Sequence, residues 1–110
     1  SAGMNFEYFK KLEKREVNKS IAKKLGFVCD ENWEFNENAT KHGVDSLYYA
    51  NLTIRNSKND SSIVGWNPFT SSADAFNLMI DMNLGMPAVF EGREDARNLI
   101  VYYAYLESLK

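Results

Sequence analysis

The sequence predicts an α+β fold: one antiparallel sheet layered with about three helices, in an αβα sandwich-like arrangement within a single domain. Three observations lead there. Apolar residues recur every four positions near the start, as Val17, Ile21 and Leu25, which is a helical period. From Phe27 to Trp66 the period shortens to that of strands, and after Ser71 the helical period returns. The 110 residues are 45% hydrophobic and 14% aromatic, a length and composition that suit one packed domain and exclude a largely disordered chain.

Ser1-Ala2-Gly3 ahead of Met4 reads as an expression scar, so the domain is expected over 4–110, opening with a charged helix over 5–25. Asn5 is a good helix cap, and Phe6 to Leu25 holds no proline or glycine and is rich in Lys, Glu and Leu. Gly26 then terminates the helix. Phe6 and Phe9 sit less regularly on the stripe, which leaves a separate first segment open. Phe27-Val28-Cys29 and Trp33-Glu34-Phe35 are short strand candidates, and Asn36 to Gly43 is a polar loop. Leu47 to Ile54 is a stronger strand candidate, with Tyr48, Ala50, Leu52 and Ile54 on one face. The polar stretch Arg55 to Ser62 leads back into Ser62–Trp66, which makes an antiparallel hairpin the simplest pairing.

Asn67-Pro68-Phe69-Thr70 breaks that strand, and Ser71 or Ser72 caps a new helix with Asp74 close to a capping-box position. Phe76, Met79, Ile80 and Asn83 share its expected apolar face, with Ala73 one turn earlier, and Gly85 and Pro87 end it. Ala88-Val89-Phe90 is a short strand or extended link. A last helix begins near Arg93, where Glu94 and Asp95 favour a helix N-terminus. Its main apolar face is Ala96, Leu99, Ile100 and Tyr103.

Charge and special residues narrow the chemistry. The net charge is −2, but residues 1–25 carry seven bases and three acids, and the remainder six bases and twelve acids. That is a dipolar exterior, basic at the N-terminal helix and acidic elsewhere. One cysteine, Cys29, rules out an internal disulfide, and one histidine, His42, rules out a histidine-rich metal site. No phosphate loop, nucleophile elbow, dinucleotide glycine pattern or zinc spacing occurs. No run of about 18 apolar residues exists to span a bilayer. The expectation is a non-enzyme, with no catalytic, cofactor-binding or metal-ligating residues and no membrane partner.

Three groups of residues are candidate contacts. The basic patch is Lys10, Lys11, Lys14, Arg15, Lys19, Lys23 and Lys24, suited to phosphates or to an acidic partner. The acidic patch is Asp30, Glu31, Glu34 and Glu37, whose spaced carboxylates can occupy a basic groove on another protein. The aromatic contacts are Trp33, Tyr48, Tyr49 and Tyr102. Trp66 is a further candidate contact, although aromatics in a domain this small, Trp66 among them, more often belong to the core.

The segment Gly65-Trp66-Asn67-Pro68-Phe69-Thr70-Ser71-Ser72-Ala73-Asp74-Ala75-Phe76-Asn77-Leu78-Met79-Ile80-Asp81-Met82 resembles the phage ABA sandwich domain family. The likeness lies in the Pro/Ser/Thr turn, the Ala75-Phe76 pair and the Met79-Ile80-Asp81 step. Ile21-Ala22-Lys23-Lys24-Leu25-Gly26-Phe27 resembles that family's opening helix, and Asp95-Ala96-Arg97-Asn98-Leu99-Ile100 its closing one. The resemblance implies a phage or prophage origin, a layered αβα fold and no assigned catalytic residues. The function expected from it is a non-enzymatic binding protein in the bacterial cytoplasm. Its concrete form is an anti-CRISPR-like inhibitor that blocks a host defence protein or nucleoprotein complex by protein–protein contact. The alternatives are a nucleic-acid-binding accessory protein using the basic helix, and a small structural homodimer built on the Tyr-rich C-terminal helix.

Overall fold

A computed structural model describes residues 5–30, 41, 47–85 and 92–110. Within them the chain is α+β, with a three-stranded antiparallel sheet and helices in a single compact domain. The helix expected over 5–25 is broken in two. Helix α1 spans Phe6–Phe9, capped by the Asn5 side chain, which accepts from Tyr8 N at 2.8 Å. Helix α2 spans Lys14–Lys24. The cause is a change of phase. At about 100° per residue, Leu12 and Val17 would lie about 140° apart on one continuous helix. Breaking the helix buries Phe9 and half-buries Leu12 while Val17 and Ile21 stay in the core. Gly26 does end α2, at a φ of 87° that a side chain would resist.

Strand β1 spans Phe27–Asp30, β2 spans Leu52–Asn56 and β3 spans Ser62–Trp66, in the spatial order β1-β2-β3 with both pairings antiparallel. The expected hairpin is present as β2–β3. Between Leu52↔Trp66 and Ile54↔Ile63 the β3 side carries one residue more than β2, a bulge at Val64-Gly65. Gly65 adopts a φ of 75° there.

Leu47–Ala50, expected as the first half of a strand running from Leu47 to Ile54, instead forms a 3₁₀ helix, and the strand begins only at Leu52. The carbonyls of Leu47, Tyr49 and Ala50, and that of Asn51, accept from side chains. Leu47 O accepts from Asn67 Nδ2 at 2.7 Å and Ala50 O from Asn18 Nδ2 at 3.0 Å. Arg15 Nη1 donates to Tyr49 O and Asn51 O, at 3.1 and 3.2 Å. These long-range side-chain bonds hold the segment in its 3₁₀ turn in place of a strand ladder.

Helix α3 spans Ser72–Asp81 and helix α4 spans Arg93–Ser108. Helix α2 packs on β1 and β2 and on α4, and α4 packs in turn on α3. The core runs through that stack: Val17, Ile21 and Ala22 of α2, Leu52 and Ile54 of β2, Trp66, Phe69, Leu78, and Val101 and Ala104 of α4. Trp66 is in the core and is not a surface contact. The inward face of α4 is Ile100, Val101 and Ala104, about one residue round from the expected Ala96, Leu99, Ile100 and Tyr103. The tyrosines are too large for the seam between helices, and they flank it. Trp33-Glu34-Phe35, Asn36 to Thr40, His42, Gly43 and Ala88-Val89-Phe90 lie outside the described residues.

Candidate contact site

The turn that introduces α3 is pinned from three sides. Asn67 is fully buried; its Oδ1 accepts from Asn18 Nδ2 at 3.1 Å and from Phe69 N at 3.0 Å. Its Nδ2 donates to Leu47 O and to Asn51 Oδ1, the latter at 2.8 Å. Pro68 is buried beside it, and Phe69 O accepts from Arg97 Nε of α4 at 2.9 Å. The Asn67 amide is fully satisfied, and a buried network of this kind fixes one geometry. Ser71 then caps α3, its Oγ accepting from Asp74 N at 3.1 Å. The Asp74 carboxylate reaches back to accept from Asn67 N at 2.9 Å, one turn beyond the usual capping-box partner. The helix therefore leaves a rigid base in a fixed rotation.

That rotation decides which apolar stripe is buried. Ala75 and Leu78 face the core, with Met79 and Met82 half-buried behind them. Phe76 and Ile80, expected on one face with Ala73, Met79 and Asn83, point to solvent and are 54% and 60% exposed; Ala73 and Asn83 are exposed as well, and of that set Met79 alone is half-buried. The helix carries two apolar stripes, and α4 covers one. The small Ala75 permits the close approach that a phenylalanine would block. A single exposed apolar residue is ordinary. Two large ones a turn apart are neighbours on the outer face of α3. Exposed apolar side chains also stand on the sheet, at Val28, Ile63 and Val64.

The far end of α3 is equally defined. Asn83, at a φ of 49°, ends the helix in place of the expected Gly85 and Pro87. Leu84 N donates to Met79 O at 3.1 Å and Asn83 N to Ile80 O at 3.2 Å, a Schellman pair. Asp81 is the last helical residue and is exposed.

The predicted basic patch is not one surface. Arg15 is only 7% exposed; its guanidinium is spent on Tyr49 O and Asn51 O and stacks 5.5 Å from the Tyr49 ring centre. It is a buried strut and not part of a contact surface, contrary to the sequence expectation. The remaining lysines form two groups. Lys10 and Lys11 are exposed at the α1–α2 junction. There Lys10 pairs with Glu7 at 3.1 Å, and half-buried Lys14 sits over Phe69. Lys19, Lys23 and Lys24 occupy the other end of α2, where Lys19 pairs with Glu16 at 3.7 Å. Exposed Glu13 comes just before Lys14 and exposed Glu16 a little ahead of Lys19, so carboxylates interleave with the lysines along the chain.

Of the acidic patch, Asp30 pairs with Arg55 at 3.6 Å, and Glu31, Glu34 and Glu37 lie outside the described residues, as does Trp33. Tyr48 belongs to the 3₁₀ helix, and Tyr49 is part-buried under Arg15. Tyr102 is half-buried against the core, its ring 5.3 Å from Phe6 and 5.2 Å from Phe9. Cys29 is half-buried on β1. Among the described residues no three His, Cys, Asp or Glu side chains gather to hold a metal, and no helix is long and apolar enough to cross a membrane. Comparison with known proteins finds no matching family model, no curated relative and no similar solved structure.

Proposed function

We propose that this chain is a phage-derived, non-enzymatic binding protein that inhibits a host bacterial defence complex by protein–protein contact in the cytoplasm. The α3 surface bearing Phe76 and Ile80 makes that contact. The observation that carries the reading is the exposure of those two side chains, 54% and 60%, on a helix whose base is locked by Asn67. Binding through a pre-set surface loses little ordering entropy. The phage origin rests on the resemblance of residues 65–82. Nucleic-acid tracking is the poorer reading, because Glu13 and Glu16 interrupt the lysines that would follow a phosphate backbone.

The test is biological and physical together. Produced in bacteria with an active nucleic-acid-guided defence, the intact chain should restore plating of a targeted phage. It should also retain the defence complex through nuclease and moderate salt. The doubly substituted Phe76→Asp, Ile80→Asp chain should do neither. Equal activity of both chains, or inactivity of the intact one against every such defence tried, contradicts the proposal.

A further inference from the structure

Asp81 sits where the fold has least use for it. As the last residue of α3 it lies at the negative pole of the helix dipole, where a carboxylate is disfavoured. The last turn of α3 holds no basic residue, and no ion pair to Asp81 exists among the described residues. The carboxylate continues the exposed row Ala73, Asn77, Asp81, which runs beside the row Phe76, Ile80. Locally unfavourable choices of this kind collect where a surface is used. Resting on the contact surface proposed above, we infer that α3 receives a partner helix face of apolar side chains bordered by Lys or Arg. The partner's cation lies against Asp81, and its apolar side chains cover Phe76 and Ile80. Charge complementarity selects this occupant: the exposed positions of α3 offer one negative charge, no positive one and an apolar centre.

The test uses a labelled amphipathic peptide of about 18 residues, with leucines on one face and lysines beside them, and its counterpart with glutamates for the lysines. Anisotropy should show the intact protein preferring the Leu/Lys peptide by about tenfold. Asp81→Asn should weaken that binding about fivefold, the scale of one interfacial ion pair, and Asp81→Lys should reverse the preference. Asp60→Asn, on the hairpin turn, should change nothing. Because Asp81 opposes the helix dipole, Asp81→Asn should also raise the melting temperature by about 3 °C. Unchanged binding in Asp81→Asn, with binding lost in Phe76→Asp, overturns this inference and leaves the contact surface standing. Leu/Lys binding that survives Phe76→Asp is general charge attraction and overturns it too. A self-dimer in sedimentation that Phe76→Asp dissolves makes the occupant a second copy, which also overturns it.

Discussion

The Asn18 side-chain amide donates to Asn67 Oδ1 at 3.1 Å across 49 positions of sequence, and both residues are fully buried. This bond ties α2 to the turn that aims α3. Asn67 makes four such side-chain bonds and Asn18 two. Asn67→Ala should therefore cost about 4 kcal/mol and Asn18→Ala about 2 kcal/mol, since each strands buried partners. Urea denaturation should rank them in that order. Equal, small losses would show that the turn stands without the network.

Substitutions on α3 should separate its two stripes. Leu78→Ala should cost about 3 kcal/mol by opening a cavity. Phe76→Ala and Ile80→Ala should stay within about 0.5 kcal/mol of the intact protein, as exposed positions do. Thermal melts of the three proteins check this, and a large loss in Phe76→Ala would mean that the ring is in the core.

Arg15 and Lys11 make a second contrast, four residues apart in sequence. Arg15→Ala should cost about 2–3 kcal/mol, because the Tyr49 and Asn51 carbonyls lose their donor. Arg15→Lys should recover only part of this, since a point charge cannot reproduce the guanidinium's fixed fork or its stacking on Tyr49. Lys11→Ala should leave stability unchanged. Denaturant midpoints of the three variants decide the matter.

At the bulge, Gly65→Ala should cost about 1–2 kcal/mol, because a φ of 75° strains any side chain. Circular-dichroism melts should show the loss, and amide exchange should quicken first in β3.

How much of this was legible in the sequence follows from the range of the forces involved. The Ser71 cap, the Gly26 stop and the β2–β3 hairpin rest on neighbours a few positions away, and local pattern reveals them. Leu47–Ala50 alternates like a strand, yet its carbonyls are taken by Arg15, Asn18 and Asn67, which lie 34, 32 and 20 positions off. No local rule contains those partners. Arg15 looked like one more member of a basic row for the same reason. Phe76 and Ile80 looked like core because apolar residues at helical spacing usually are. The available signal was that Ala75, Leu78, Met79 and Met82 already form a complete second stripe. α4 covers that one, leaving Phe76 and Ile80 outward.

The most direct check is amide chemical-shift mapping of the ¹⁵N-labelled protein against the purified host complex that it retains. The account predicts shifts or broadening concentrated at Ala73, Phe76, Asn77, Ile80 and Asp81, with Lys10, Lys11, Lys23 and Lys24 undisturbed. Perturbation confined to those lysines, with α3 silent, would contradict it.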